Sequence, residues 1–248
     1  MPGYLTKQED ISVAGAADLV IRSLLDNQQF HDPLGEAEAL GISSATWPLF
    51  GLLWPSAAHL AQRMASRPLL AGERVLEIGC GLGLASLVCH RRGIDITASD
   101  CHPLARQFLQ ENVRLNGMVP LKYRTGQWGA QAEVAPEVRS DGQSDSQTAG
   151  QTDGEDGTVQ GHFDLIVGSD VLYERDAQAT LARFLDRHAA SGAQIWIVDP
   201  NRGNRTTFHK QMAAHRFVVV EERLDQPALG NVAAYKGRLM VYERSVLG

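Results

Sequence analysis

This chain of 248 residues has few cysteines, no long apolar run and fewer basic than acidic residues. Its three cysteines (Cys80, Cys89 and Cys101) are too few and too irregularly spaced for a disulfide framework or a zinc site. Each lies in or beside a predicted core element, so we expect buried free thiols and a reducing, cytoplasmic compartment. No apolar run approaches the ~20 residues that cross a bilayer, and the N-terminus lacks the basic and apolar segments of a signal peptide. These absences exclude a disulfide-rich scaffold, and we expect no membrane partner.

The excess of acidic over basic residues comes from one segment of the chain. The chain has 23 lysines and arginines against 29 aspartates and glutamates, a formal net charge of −6. Residues 129–161 hold seven acids and one base, Arg139, so the rest of the chain is formally neutral. A neutral body lacks the basic face on which nucleic-acid binding normally rests, and we therefore expect no nucleic-acid partner.

The same acidic segment is the clearest shift in composition. It is nearly free of large apolar residues after Val138, so it buries too little surface to offset the entropy of ordering it. We interpret residues 130–160 as a flexible acidic insert within a domain covering residues 51–248, because strand–helix alternation resumes beyond it. Residues 1–50 fit that core less well and are interpreted as an N-terminal lid or a small added hairpin.

What the chain does have is a glycine-rich motif after an apolar strand, Arg74–Ile78. The motif reads Glu77-x-Gly79-x-Gly81-x-Gly83. Alternating glycines let the backbone turn sharply, and the helix that opens at Leu84 presents free N–H groups and its positive dipole end to the same spot. The next strand ends in Asp100, where an acid suits a pair of ribose hydroxyls. The pattern predicts a site for a nucleotide-like cofactor.

A dinucleotide-binding loop is the first alternative. Such a loop reads G-x-G-x-x-G, and its third glycine would fall on Leu84. The second alternative is a glycine-rich loop that only permits a tight turn. The flanking strand and helix, together with Asp100, favour the cofactor site.

Short apolar runs alternate with helical patterns along the chain. The predicted strands are Arg74–Ile78, Asp95–Ser99, Leu121–Thr125, Phe163–Gly168, Gln194–Val198, Phe217–Arg223 and Arg238–Arg244. The predicted helices are Pro55–Ser66, Leu84–Arg92, Pro103–Leu115, Asp176–Ala190 and Thr206–His215. Gly93, Gly117 and Gly192 lie just past predicted helix ends, where a left-handed cap is common. This order predicts an α/β fold with a doubly wound, seven-stranded, mostly parallel sheet. No helix separates the last two strands, so one strand runs antiparallel.

Polar residues follow the fourth predicted strand. Ligands of open parallel sheets sit outside the carboxyl ends of the strands, so Ser169, Asp170 and Tyr173 should lie beside the glycine loop. The alternative is that Asp170 caps a helix and Tyr173 packs in the core.

Tryptophans are candidates for the cofactor pocket, since aromatic walls suit both an adenine ring and a sulfonium cation. Trp54 and Trp128 are placed best, Trp128 because it follows the third strand. Trp196 lies in mid-strand and is expected in the core. Packing alone remains an alternative for each of them.

Together these motifs resemble class I S-adenosyl-L-methionine (SAM)-dependent methyltransferases. The set is Trp54-Pro55, Glu77-x-Gly79-x-Gly81-x-Gly83, Asn112-x-x-x-Asn116-Gly117, Trp128-Gly129 and Asp170-x-x-Tyr173. Within that class the chain is similar to methyltransferase family 16, the seven-β-strand protein-lysine methyltransferases that also resemble nicotinamide N-methyltransferase. The segment from Ser23-Leu24-Leu25-Asp26 through Trp47-Pro48-Leu49-Phe50-Gly51 resembles bacterial members.

The resemblance implies a Rossmann-like class I fold and a role for each motif. Glu77, Gly79, Gly81 and Gly83 would surround the methionine part of SAM, and Asp100 would bind the ribose hydroxyls. Trp128 would flank the adenine, while Trp54 and Ser169 would line the cofactor pocket. Asp170 and Tyr173 would face the methyl-accepting nitrogen. The family usually has an acid before the Trp-Gly pair. This chain has Gln127 there, whose amide oxygen could still accept a hydrogen bond from the adenine amine.

The implied function is transfer of a methyl group to a lysine amine of a protein, by a monomer that needs no metal. A small-molecule, nicotinamide-like N-methyltransferase is the first alternative, and a non-catalytic SAM-binding protein is the second. Nucleic-acid N-methyltransferases carry an Asn/Asp-Pro-Pro-aromatic motif after the fourth strand. This chain has Ser169-Asp170-Val171-Leu172-Tyr173 there, and Asp199-Pro200-Asn201-Arg202 follows the fifth strand instead.

Overall fold

The computed structural model describes residues 3–126, 128, 157–228 and 233–245. The strands are β1 Thr6–Ile11, β2 Leu19–Leu24, β3 Arg74–Ile78, β4 Asp95–Asp100, β5 Lys122–Thr125, β6 Phe163–Ser169, β7 Ala189–Asp199, β8 Phe217–Arg223 and β9 Arg238–Arg244. The helices are α1 Glu36–Ala39, α2 Pro55–Ser66, α3 Leu84–Arg91, α4 Ala105–Leu115, α5 Thr180–His188 and α6 Arg205–Ala214, with a 3₁₀ helix at Trp47–Gly51. None of the described helices is both long and apolar enough to cross a bilayer.

Seven strands form one sheet in the order β5-β4-β3-β6-β7-β9-β8. Neighbouring strands from β5 to β7 run parallel, and β9 is antiparallel to both β7 and β8. The predicted fold class is confirmed, with β9 as the reversed strand.

Both faces of the sheet are covered, as expected where apolar runs are continuous rather than alternating. Leu60, Leu87 and Leu109 on α2, α3 and α4 belong to one buried cluster. Leu185 and Met212 on α5 and α6 belong to the other. The central strands are therefore shielded from water on each side, and only their ends are open to a ligand.

The first strands form a separate antiparallel hairpin, β1–β2, outside the main sheet. Two asparagines of α4 hold its second strand. Asn112 Oδ1 accepts the N–H of Arg22 at 2.8 Å, and Asn116 both accepts the N–H of Val20 at 3.0 Å and donates to its carbonyl at 2.8 Å. Side chains of a helix thus take the place of a neighbouring strand along β2.

Most of the predicted acidic insert lies outside the described residues. Its last residues are described and are part of the fold. Thr158 pairs with Thr125 in a parallel bridge, and Val159 is buried and donates its N–H to the Thr125 carbonyl at 3.1 Å.

The start of α5 differs from the sequence-based expectation. Asp176 lies before the helix and accepts the N–H groups of Thr180 and Leu181, both at 2.9 Å. The helix also ends early, because β7 already begins at Ala189. Gly192 is therefore inside a strand, and its predicted helix cap is wrong.

The other two predicted caps hold. Gly93 and Gly117 have φ angles of 77° and 63°, and they follow α3 and α4. At both positions the left-handed conformation favours glycine, so the helix ends were readable from the sequence.

Candidate active site

A cavity of about 1130 Å³ opens where the strand order reverses, between the carboxyl ends of β3 and β6. This switch point is where doubly wound sheets bind their ligands. The predicted site residues that line it are Trp54, Gly79, Gly81, Gly83, Asp100, Trp128, Ser169, Asp170 and Tyr173. The remaining one, Glu77, does not. The cavity exceeds the usual volume of a small-molecule pocket, which leaves room for a cofactor and an acceptor group together.

The glycine loop needs glycine for conformational and steric reasons. Gly79, Gly81 and Gly83 have φ angles of 57°, 50° and 75°. A Cβ on Gly81 would stand 2.6 Å from the carbonyl oxygen of Phe50, a backbone atom that cannot swing aside. The loop therefore passes against the 3₁₀ helix on one side while its other side borders the cavity.

Asp100 ties this loop to the end of β4. One carboxylate oxygen accepts the N–H of Gly81 and the other accepts the N–H of His102, each at 2.8 Å. Burial raises the pKa of Asp100. A carboxylate has about four lone-pair sites, so two remain for hydroxyl groups of a ligand.

Glu77 does not contact the cavity. It is buried beneath the loop and accepts bonds from the backbone N–H of Ser86, at 2.8 Å, and from the Ser86 hydroxyl. Burial raises the pKa of Glu77 to about 7. Glu77 thus connects β3 to the first turn of α3. Its contact with the cofactor remains a prediction.

His102 is a cavity residue that the sequence did not single out. Its ring stacks on Phe50, with centroids 3.7 Å apart and planes at 14°. Nδ1 accepts the N–H of Leu104 at 3.2 Å, so the neutral ring carries its hydrogen on Nε2. Burial lowers the pKa of His102 to about 3, and Nε2 has no hydrogen-bond partner among the described residues. A buried donor thus stands behind the cavity wall without a partner among the described residues.

Aromatic side chains form much of the rest of the wall. Trp128 reaches to within 3.7 Å of the position that a Cβ on Gly79 would take, and it packs against Phe184. Trp54 donates its indole N–H to the carbonyl of Leu49 at 2.9 Å. Both tryptophans line the cavity, and their contacts with the cofactor stay predictions. Gln127 is outside the described residues.

The other tryptophans are structural. Trp47 is fully buried, at 1% exposure, between Tyr4, Phe30, Phe50 and His102. Trp196 is half-buried in β7 under the guanidinium of Arg67.

The end of the cavity that is predicted to receive the methyl acceptor is built on the ends of β6 and β7. Asp170 has a φ of 57°, unusual for a residue with a side chain, and donates its N–H to the Val198 carbonyl at 2.9 Å. Its carboxylate pairs with Arg202, with Nη2 at 2.8 Å from Oδ1. The sequence-based alternative of a helix cap does not apply, because α5 is capped by Asp176.

Tyr173 lies at the rim and is 46% exposed. Desolvation and the nearby Cys101 and Glu174 raise the pKa of its hydroxyl, which stays protonated at neutral pH. A protonated phenol can donate to, or accept from, a polar group entering the cavity.

Arg202 and Asp199 are functional candidates that sequence reasoning noted but did not use. Asp199 is fully buried at the end of β7, and its Oδ1 accepts the N–H of Arg202 at 2.7 Å. Asp170 was selected because it follows the carboxyl end of a parallel strand, and Asp199 lies at the end of such a strand too. That signal was present in the sequence.

The described residues contain no cluster of ligating side chains that could hold a metal ion. They do fit SAM. Asp100 has lone pairs for ribose hydroxyls, and Trp54 and Trp128 offer aromatic walls to an adenine or a sulfonium.

A seven-stranded sheet with one reversed strand and a glycine loop at its switch point is the class I methyltransferase architecture. A family model described as a methyltransferase domain matches residues 55–226, so the chain belongs to that methyltransferase family. The domain is a SAM-dependent methyltransferase.

Similar proteins include electron transfer flavoprotein beta subunit lysine methyltransferases. The Xenopus laevis enzyme is 28% identical over 158 residues, 62% of this chain and 53% of that protein. The Mus musculus enzyme is 24% identical over 233 residues, 92% and 78% of the two chains. Protein N-lysine methyltransferase METTL21A of Danio rerio is 30% identical over 165 residues, 62% and 63% of the two chains. The chain thus spans about half of the frog enzyme's length.

Among solved structures, the magnesium protoporphyrin IX methyltransferase of Synechocystis PCC 6803, with bound SAM, superimposes with a TM-score of 0.52. It is 14% identical, and the match covers 77% of this chain and 78% of that one. Likeness at this identity concerns the fold.

Proposed function

We propose that this protein transfers a methyl group from SAM to the ε-amine of a lysine in another protein. One observation carries the proposal: Asp170 and Tyr173 line the same cavity as the glycine loop and stand at the carboxyl end of the neighbouring strand. The relatives named as lysine methyltransferases support it.

We also propose that the protein belongs to the bacterial type of methyltransferase family 16, and that it acts as a cytoplasmic monomer. The residues that carry the resemblance support the first point, and the scarcity of cysteine supports a reducing compartment.

The protein's part in the reaction is to bind, align and exclude water. When bound, SAM supplies an electrophilic methyl group on a sulfonium. The glycine loop, Asp100 and the two tryptophans would hold it at the switch point, where most of the wall is apolar. Holding two reactants in line removes much of the entropic part of the barrier, and methyl transfer needs little more than this.

Asp170 is suited to orient the acceptor amine. Arg202 engages only Oδ1, so Oδ2 has lone pairs free to accept an N–H from the amine. The hydroxyl of Tyr173 at the rim can form a second contact. The lysine stem would enter past Tyr173, the exposed residue at the rim of the cavity.

The function is tested by incubating the purified protein with tritiated SAM and heat-treated cell extract. We expect label in protein, and ε-N-methyl-lysine after acid hydrolysis. Label found only in a small pyridine-like metabolite would move the function to a small-molecule N-methyltransferase. Label in RNA, or in protein as methylhistidine, would also contradict the proposal.

A substitution at Asp170 tests the acceptor site. Asp170→Asn keeps a residue that tolerates the left-handed conformation but removes the charge, and we expect the rate to fall about 100-fold, the scale for losing a positioned polar group. SAM binding, measured by calorimetry, should be unchanged. Asp186→Asn is the control, because Asp186 also pairs with an arginine, Arg244, but lies outside the cavity.

Full activity in Asp170→Asn would remove Asp170 from the acceptor site. Asp170→Ala is a poorer test, because alanine at a φ of 57° adds backbone strain to the loss of the carboxylate.

A further inference from the structure

Arg202 contacts Asp170 in an asymmetric way. Its Nη2 and Nε donate to the same oxygen, Oδ1, at 2.8 and 3.3 Å, and no described residue donates to Oδ2. The Asp170 side chain is 11% exposed and that of Arg202 is 35% exposed, so the pair lies in the cavity wall rather than in open solvent. A charge pair in such a place is only partly screened by water.

The segment that follows β7 fixes the position of Arg202. Asp199 accepts the Arg202 N–H at 2.7 Å, and Asn201 between them has a φ of 62°. Asn201 Oδ1 in turn accepts from Arg205 at 2.9 Å and Arg238 at 3.1 Å. Left-handed residues other than glycine persist where the surroundings over-determine them, and they cluster at functional sites. Asp170 and Asn201 are two such residues at the ends of neighbouring strands.

Few charged or titratable groups face Asp170. From the end of β7 they are Asp199 and Arg202, and from the segment before β9 the Tyr235 hydroxyl. Two further groups act on these neighbours: Tyr173 on Arg202, and Arg205 of α6 on Asp199. Tyr235 is hydrogen-bonded to Ser56 at 2.9 Å, and the pKa of its hydroxyl is raised to about 12 by burial, so it is neutral. Among the described residues, Arg202 is the cation in direct contact with Asp170.

This arrangement meets a requirement of amine methylation. A lysine amine attacks only after it has released its proton, and a lone carboxylate beside it would raise its pKa by one to three units. A cation fixed on that carboxylate cancels most of this effect. The amine then meets a polar acceptor without meeting a net negative charge.

We propose that Arg202 is a positioning residue that neutralises Asp170, so that the acceptor lysine reaches the methyl group as a free amine. The inference rests on the proposed lysine methylation. In this arrangement Oδ1 of Asp170 accepts hydrogen bonds from the Arg202 guanidinium, and Oδ2 accepts one from the substrate amine.

The test is the pH dependence of Arg202→Met, assayed from pH 6 to 10 with tritiated SAM and heat-treated cell extract as the acceptor. Without the guanidinium, the carboxylate keeps the bound lysine protonated, so we expect the acid limb of the rate at saturating acceptor, which reports groups in the enzyme–substrate complex, to move up by about one pH unit. The rate at pH 7 should then be about tenfold lower, and it should approach the wild-type rate at high pH.

Two further variants separate charge from structure. Arg202→Lys keeps the cation and should retain most of the wild-type pH profile. Lys210→Met removes an exposed cation of α6 that lies outside the cavity, and should leave the profile in place. SAM affinity, measured by calorimetry, should be the same in all three.

Each contrary outcome has a distinct meaning. An equal loss of activity at every pH, or an unmoved acid limb, would overturn the inference while lysine methylation stands. Lost SAM affinity in Arg202→Met would make Arg202 a cofactor-binding residue instead. If the wild-type protein labels no lysine, the proposed function fails, and the inference fails with it.

Discussion

Two buried acids beside the glycine loop show how a residue's environment decides its role. Asp100 and Glu77 both accept backbone N–H groups, from Gly81 and from Ser86. Asp100 also borders the cavity, whereas Glu77 lies behind the loop and is sealed from it. The sequence predicts a cofactor contact for both acids alike. It does not show which of them is buried behind the loop, because that depends on the tertiary structure.

The stability of the protein should depend on pH through Glu77. Its pKa is raised from 4.5 to about 7 by burial, so the folded state keeps a proton that the unfolded state releases. The contribution of Glu77 to the free energy of unfolding is therefore fully present below about pH 4.5. It falls by an amount on the order of 3 kcal/mol as the pH rises to about 7. We expect Glu77→Gln, which keeps an acceptor oxygen for Ser86, to flatten this part of the curve.

The measurement is urea unfolding of both proteins between pH 4.5 and 8. Glu9→Gln, on the exposed strand β1, controls for the loss of a carboxylate at the surface. Parallel curves for the wild type and Glu77→Gln would show that Glu77 is ionised in the folded protein throughout this range.

At the scale of elements, α4 joins the N-terminal hairpin to the glycine loop. Asn112 accepts the N–H of Arg22 on β2 and donates to the carbonyl of Leu82 in the loop at 3.2 Å. Asn116, one turn later, holds Val20 on the same strand. The spacing Asn-x-x-x-Asn places both amides on one face of the helix. The motif that contributed to the family resemblance therefore has a structural reason.

We expect Asn112→Ala to lower stability by about 2 kcal/mol, since it leaves the Arg22 N–H and the Leu82 carbonyl without partners. For a chain of this length the melting temperature should fall by about 4–8 °C. SAM affinity should fall as well, because Leu82 belongs to the loop that lines the cavity. Gln110→Ala, on the exposed face of the same helix, should change neither quantity.

A melting temperature unchanged in Asn112→Ala would mean that the hairpin is held by its apolar contacts alone. Calorimetry with SAM separates the two effects, because an intact affinity with lowered stability would confine Asn112 to the hairpin.

Elements marked by local signals were predictable from the sequence. The bounds of β3, β8 and β9 agree with the expectation, since apolar runs and flanking turns define them. The hairpin was left undecided because one edge of β2 is held by side chains that lie 90 and 96 residues away in sequence. The start of α5 was missed because Asp176 caps it from outside the helix.

At the scale of the whole molecule, the order of the strands assembles the site. Because β3 and β6 are neighbours, the glycine loop and Asp170 share one cavity, and the carboxyl-edge rule predicted this from the sequence. The contact between Asp170 and Arg202 depends on the register of β6 with β7 and on two left-handed residues. Neither is encoded in a local pattern.

The last expectation concerns the segment between Trp128 and Gly157. Its composition predicts that it adds little to folding, so replacing residues 131–156 with a short glycine-containing connector should change the melting temperature by no more than about 2 °C. The deletion removes the seven acids and Arg139, so the formal net charge should rise from −6 to zero. Neither Thr158 nor Val159 is touched, and the bridge to Thr125 is kept.

A longer deletion, of residues 131–160, is the matched control. It removes the same charges but also the buried Val159 and the bridge to Thr125 at the edge of the sheet. Loss of one buried valine costs about 2 kcal/mol, so the melting temperature should fall by about 4–8 °C, and the difference between the two deletions isolates that contribution. If the shorter deletion is itself insoluble or unfolded, the acidic segment is packed against the domain, and its composition has been read wrongly.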